Sequence, residues 1–202
     1  MFKSVYENQD NILKAIQALH CPIFDCDITY GNGVFYKNIE KPKFCFDIDP
    51  LFDFVEQANC INLPLNDNQL NSVVCDLPFL TYIKNNRIGN GNMIMAKRFA
   101  GYWRYEELAE HYQKTLKECF RILNKNGKLI FKCQDIVHNH KFVPTHVNCI
   151  NWAKEIGFNL LDLFILVAKH RLPSPNKKGK QKHARIFSSY FLVFEKIIHP
   201  YQ

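Results

Sequence analysis

Three apolar runs in the first 76 residues end on carboxylates: Ile23-Phe24-Asp25-Cys26-Asp27-Ile28, Lys43-Phe44-Cys45-Phe46-Asp47-Ile48-Asp49-Pro50 and Leu70-Asn71-Ser72-Val73-Val74-Cys75-Asp76. Short apolar runs bounded by turn formers predict buried strands. Around them the hydrophobic period changes. Ile12, Leu13, Ile16 and Leu19 fall at helical spacing ahead of Pro22. Leu108, Tyr112, Leu116, Cys119, Phe120 and Leu123 recur every three or four residues behind Glu106 and Glu107, acids suited to a helix's first turn. Asn124-Lys125-Asn126-Gly127 is expected to close that helix, and the run from Lys128 to Cys133 reads as a further strand. A helix from Thr145 to Ile156 follows, with Val147, Ile150, Ala153 and Ile156 on one face and Gly157 as its stop. Phe158 to Ala168 and Ile186 to Lys196 read as two last strands.

Strands alternating with helices predict an α/β, Rossmann-like fold: a largely parallel sheet with helices on both faces. In such sheets ligands bind beyond the carboxyl ends of the strands, where Asp27, Asp47, Asp49 and Asp76 lie. A chain of 202 residues with 47% hydrophobic content has enough apolar surface for one core. With neither internal repeats nor a linker to split it, residues 1–202 are read as a single domain.

The eight cysteines are spread singly with no Cys-x-x-Cys pair, the usage of a reduced, cytoplasmic protein. No apolar run reaches membrane-spanning length and the first residues lack the apolar stretch of a signal peptide, so no membrane association is expected. His138-Asn139-His140 is the one close histidine pair; without a third ligand at a fitting spacing, no metal site is expected.

The net charge of +7 is unevenly placed. Lys84, Arg87, Lys97 and Arg98 lie in an acid-free stretch inside 80–104, and Lys169, Arg171, Lys177, Lys178, Lys180, Lys182 and Arg185 lie in another over 169–185. Clusters of this kind fit a polyanionic partner, most simply nucleic acid, or else solvated lysine loops. Tyr82, Tyr102 and Trp103 are interleaved with the first group and could stack on bases or pack the loop onto the core.

Gly31-Asn32-Gly33 after the first strand makes a glycine turn without a full Gly-x-Gly-x-x-Gly signature. Asp47 follows Asp27 by about twenty residues, where a doubly wound fold puts the acid that accepts hydrogen bonds from ribose hydroxyls. A turn before Pro50 explains Asp47 and Asp49 equally well when they are read without their neighbours.

The segment from Leu63 to Phe79 resembles the class I S-adenosylmethionine-dependent methyltransferases. Its end, Asp76-Leu77-Pro78-Phe79, resembles the (Asp/Asn/Ser)-Pro-Pro-(Tyr/Phe/Trp) motif of their amino-methyltransferase branch. The resemblance implies a seven-stranded sheet with an antiparallel last strand and S-adenosylmethionine as cofactor. It implies methyl transfer to an exocyclic amine of a nucleic-acid base, DNA adenine slightly ahead of RNA. Asp76, Leu77, Pro78 and Phe79 would form the catalytic pocket, with the Asp76 carboxylate and the Leu77 carbonyl as acceptors and Phe79 stacking on an extruded base. Asp27, Tyr30, Gly31 and Gly33 would surround the methionine part of the cofactor, Asp47 the ribose and Asn62 the adenine. Asp25 is read as structural, and Gln134-Asp135 as placed to touch the substrate.

Leu77 stands where the motif has proline. The main-chain acceptor survives the change, while the rigid turn of two consecutive prolines is lost. On that departure rests the alternative of a non-catalytic or impaired cofactor- and nucleic-acid-binding module. A methyltransferase for a protein amide or small amine is a further alternative. With no separate recognition domain, target choice falls to the basic loops or to a protein partner.

Overall fold

The structure is a computed structural model and describes residues 1–81, 102, 104–169 and 181–197. Its elements run β1 (Val5–Tyr6), α1 (Gln9–Leu19), β2 (Cys26–Asp27), a single 3-10 turn (Val34–Tyr36), β3 (Phe44–Asp47), β4 (Glu56–Gln57) and β5 (Leu70–Asp76). Then come α2 (Tyr105–Ile122), β6 (Leu123–Cys133), β7 (Ile136–His138), β8 (Lys141–Val143), α3 (Thr145–Ile156), β9 (Phe158–Val167) and β10 (Ser188–Lys196). The main sheet has the order β1-β9-β10-β6-β5-β2-β3-β4. All neighbours are parallel except β10, which runs antiparallel to both β6 and β9.

The period-two alternation of the central strands decides the layering. Val73 and Cys75 of β5, Leu129, Phe131 and Cys133 of β6, and Leu192 and Phe194 of β10 pack against Leu108, Tyr112, Leu116 and Cys119 of α2 and Cys149 and Ala153 of α3. The intervening Val74, Ile130, Phe191 and Val193 meet Ile12, Leu13 and Ile16 of α1 on the opposite face. Helix α1 starts at Asn8, whose side chain accepts from the Asp10 N–H at 2.8 Å, and α3 stops at Gly157, which takes the left-handed conformation with φ 119°.

Several expectations are corrected. The sheet has eight strands in place of seven, because the two residues of β1 add to the free edge of β9, Val5 opposite Ile165 and Tyr6 opposite Leu166. Asn124 to Gly127 does not form a separate turn; it lies within β6, where Asn126 adopts φ 62° and the ladder to β5 shifts register between Leu70 and Ser72. The strand read over 23–28 is paired only at Cys26 and Asp27. Between β6 and α3 the chain forms a β7-β8 hairpin that the sequence reading does not include. All eight cysteines are free and buried. No helix among the described residues is long and apolar enough to cross a membrane.

Candidate functional site

The acids at the ends of β2, β3 and β5 share one edge of the sheet, because those strands are parallel neighbours. Asp27 is the most enclosed, 3% exposed. Its Oδ1 accepts from the Thr29 N–H at 2.8 Å and the Thr29 hydroxyl at 3.3 Å, and its Oδ2 from the Tyr36 hydroxyl at 2.6 Å. Burial pushes its carboxyl up to about 7; the bonds from Tyr36 and Thr29 oppose that rise, and the nearby Asp76 charge adds to it. Asp27 therefore acts as the staple of the loop that follows it. The Thr29 hydroxyl also accepts the Asp76 N–H at 2.7 Å, tying the ends of β2 and β5 together.

That loop places the other residues expected around a cofactor. Gly31 has φ 55° and donates its N–H to Asp47 Oδ2 at 2.7 Å, so the acid ending β3 holds the glycine turn after β2. A Cβ at Gly31 would meet only the Thr29 carbonyl oxygen, at 3.8 Å, leaving the surface above it open to a ligand. Gly33, at φ 68°, is required for a different reason: a Cβ there would lie 2.9 Å from the Tyr30 hydroxyl oxygen. Tyr30 stacks on Tyr36 at 5.4 Å between ring centroids and meets Phe52 and Phe54 edge-on. Phe52 and Phe54 are themselves exposed, so an aromatic rim borders the turn. Asp47 Oδ1 takes the Asp49 N–H at 2.9 Å. A carboxylate has about four acceptor positions, so Asp47 keeps capacity for hydroxyl donors. Asn62 is exposed, in a tight turn where its N–H bonds the Asn59 carbonyl at 2.8 Å.

The tetrapeptide begins on the last residue of β5. Asp76 Oδ2 is bonded to Lys132 Nζ at 2.8 Å, the two residues facing each other across the β5-β6 ladder. The Lys132 ammonium also lies 4.9 Å from the Phe35 ring and 5.6 Å from the Phe191 ring. Leu77 is 2% exposed and packs in the cluster that contains Tyr102, Leu108 and Tyr112. The Pro78 carbonyl accepts the hydroxyl of fully buried Tyr112 at 3.0 Å, and Phe79 packs partly buried on the same cluster. The turn is thus fixed by burial of Leu77 and by the bond from Tyr112. Downstream, Thr81 Oγ1 lies 3.0 Å from His138 Nδ1 of β7.

Sequence reasoning passed over Lys132, Tyr36 and Thr29. The first had a signal: a lysine in an otherwise apolar strand needs a partner, and Asp76 is on the adjacent strand. Asp25 bonds the N–H groups of Asn71 and Ser72 and is structural, as its position before Asp27 implies. Of the basic residues, Lys182 and Arg185 are exposed, with the Arg185 guanidinium 6.0 Å from the Phe187 ring. Lys84, Arg87, Lys97, Arg98, Arg171, Lys177, Lys178 and Lys180 lie outside the described residues, as do Tyr82 and Trp103. Tyr102 is 4% exposed and bonds His111 Nδ1 at 2.6 Å, so it packs the core and is not offered to bases.

No protein-family model and no curated protein matches the sequence. Solved structures do match the fold. The [4+2]-cyclase SpnF superimposes at TM-score 0.54 with 12% identity over 93% of this chain and 82% of its own. A chain from the complex between the Haloferax volcanii Trm112 methyltransferase activator and a methyltransferase superimposes at TM-score 0.52, also with 12% identity, over 94% of this chain and 90% of its own. A protein assigned as a DNA modification methylase from Thermus thermophilus aligns more loosely, at TM-score 0.48 and 19% identity over 72% of this chain; this chain spans about half of that one, 54%. The cyclase carries this fold with another chemistry, so the fold alone does not set the reaction. What the chain shares with the first two is a Rossmann-like methyltransferase fold with a mostly parallel central sheet.

Proposed function

We propose that this chain is an S-adenosylmethionine-dependent amino-methyltransferase acting on an exocyclic amine of a nucleic-acid base, adenine in DNA before RNA. The observation that carries the reading is Asp76-Leu77-Pro78-Phe79 at the carboxyl end of β5, beside a glycine turn held by the acid of β3. The open surface above Gly31 and the spare acceptor positions of Asp47 fit a ribose-bearing cofactor. Tyr30, Gly31 and Gly33 would border its methionine part, Asp47 its ribose and Asn62 its adenine, with Asp27 acting from beneath by fixing the loop. Bound there, S-adenosylmethionine supplies an electrophilic methyl group.

The residues of the chain do the rest. An exocyclic amine is a weak nucleophile because its lone pair is delocalised into the ring. Acceptors at Asp76 and at the Leu77 carbonyl draw its hydrogens and localise that pair along the line of attack. Phe79 supplies a stacking face that offsets part of the few kcal/mol spent in extruding a base. Lys182, Arg185 and the basic residues around them contact phosphates, which position a strand without reading it. A protein partner would add target choice, as an activator accompanies the Haloferax methyltransferase.

The Lys132 ammonium on Asp76 favours one second reading, a binding module without turnover, since it occupies an oxygen that the amine needs. Incubating DNA and RNA with isotopically labelled S-adenosylmethionine and analysing the nucleosides by mass spectrometry separates the two. Label on adenine, cytosine or guanine nitrogen is the expected result. Cofactor binding by calorimetry without label transfer leaves the module, and absence of both removes the proposal.

A further inference from the structure

Beyond the tetrapeptide, a second polar cluster sits where β6, the first turn of α3 and the start of β10 meet. Asp135 is 3% exposed and both its oxygens are engaged. Oδ1 accepts the His146 backbone N–H at 3.2 Å and faces the His146 ring Nδ1 at 2.7 Å, while Oδ2 accepts the Tyr190 hydroxyl at 3.1 Å. The imidazole lies on the Tyr190 ring, with centroids 4.0 Å apart and planes 17° from parallel. Turning the ring over would bring Cδ2 to Asp135 in place of Nδ1 and lose that bond, so Asp135 fixes which nitrogen faces it. Because Asp135 receives donors, Nδ1 carries the hydrogen and Nε2 is the basic nitrogen of the neutral ring. Among the described residues no protein group bonds Nε2, and the side chain keeps 22% of its surface exposed.

This is the arrangement of a base oriented by a buried carboxylate. The other groups at the edge are poorly placed to take a proton. Both Asp27 oxygens are held by Tyr36 and Thr29, and one Asp76 oxygen is already occupied by the Lys132 ammonium. Strand register puts the cluster on the same edge: Asp76 pairs with Lys132 and Tyr190 with Cys133, so Asp135 lies just beyond the paired end of β6. Asp135, read from sequence as placed to touch the substrate, is buried with both oxygens engaged by His146 and Tyr190, an arrangement that orients the imidazole.

We propose that His146, positioned by Asp135 and Tyr190, accepts through Nε2 the proton released when the amine is methylated. The inference rests on the methyl-transfer reading above. The amine nitrogen gains the methyl carbon and gives up one hydrogen as a proton, while the electron pair of the broken carbon–sulfur bond stays on sulfur. The proton passes to Nε2 directly or through one water, and Asp135 balances the resulting imidazolium.

Two measurements test it. Long-range proton–nitrogen NMR on the intact protein is expected to find the neutral His146 ring protonated at Nδ1; a ring protonated at Nε2 overturns the proposal. Calorimetry with S-adenosylmethionine is expected to give the same affinity for wild type and His146→Ala. Transfer of labelled methyl to mixed-sequence DNA and RNA oligonucleotides is expected to fall at least tenfold in that variant, in line with the ~10²–10⁴-fold typical of general bases. Free imidazole should restore part of the loss, which a packing defect would not permit. Full activity in His146→Ala, or a loss that imidazole leaves untouched, overturns the role of His146 and spares the methyltransferase reading. A wild-type protein that binds no S-adenosylmethionine overturns both.

Discussion

At the scale of single residues, the site is organised by two carboxylates with opposite tasks. Asp76 faces outward at the strand end with one oxygen on Lys132, whereas Asp27 is enclosed and spends both oxygens on its own loop. Replacing Asp76 by alanine should leave cofactor affinity unchanged in calorimetry and lower turnover at least tenfold, matching the roughly 1.5–3 kcal/mol of a hydrogen bond to a charged group. Full turnover would remove Asp76 from the mechanism. For Asp27 the consequence concerns stability. Its carboxyl titrates at about 7 in the folded protein against the ordinary 3.8, so the folded state holds a proton that the unfolded chain has already released. This contribution is fully present below the unfolded value and is lost as pH rises toward the folded one. Between pH 3.8 and about 7 the wild type should therefore lose stability relative to Asp27→Asn, by at most on the order of 4 kcal/mol. Urea unfolding of both proteins at pH 5 and pH ~7.5 measures the difference. A gap that does not change with pH would show that burial does not govern this group.

At the scale of elements, legibility followed burial. Helix α3 and strand β5 stand where the sequence pattern puts them: Gly157 stops the first in the left-handed conformation and Asp76 is the last residue of the second, although Val147 of the face read for α3 is exposed. β1 and β4 went unread: each has two residues, too few for a period, and each exists through pairing to a strand distant in sequence or through a neighbour's edge. Within the site, the strand-end acids could be read from sequence, since parallel topology alone brings them together. Lys132 in its apolar strand signalled the need for a partner, but only the strand register names Asp76 as that partner. The Asp135–His146–Tyr190 cluster could not be read, because it joins segments far apart in the chain. Lys196 shows how strongly such long-range bonds hold elements. It is 4% exposed, and its Nζ donates to the Phe120 and Leu123 carbonyls at the end of α2 and to Asn68 Oδ1, at 2.6, 2.7 and 2.8 Å. Methionine there keeps most of the apolar volume and leaves those acceptors without their donor. Lys196→Met should destabilise the protein by about 2–4 kcal/mol in urea unfolding; a loss below about 1 kcal/mol would mean the carbonyls find other partners.

At the scale of the whole molecule, charge distribution and topology point the same way. Strand β9 is parallel to β1 and antiparallel to β10, so the segment joining β9 to β10 leaves the sheet at the edge that also carries Asp76, and the segment following β5 leaves there too. The lysines and arginines named in these two connections, with no acid among them, outnumber the net charge of +7. Lys182 and Arg185, at the described end of the second, are exposed. A polyanion bound across that edge would release counterions from its phosphates, so its affinity must fall steeply with salt. Joint replacement of Lys177, Lys178, Lys180 and Lys182 by alanine should weaken binding to duplex DNA. It should also flatten the plot of log affinity against log salt, by up to ~0.9 for each phosphate that is no longer neutralised. Fluorescence anisotropy over a range of salt concentrations gives the slope directly. Cofactor affinity should be unaffected, because the cofactor residues proposed at the ends of β2 and β3 carry none of these charges. An unchanged slope with weakened binding would point to a damaged fold, and an unchanged slope with unchanged binding would take nucleic acid off this surface. The protein-amide or small-amine alternative would then be the stronger one, since the acceptor geometry at Asp76 serves any planar amine and needs no phosphate contact.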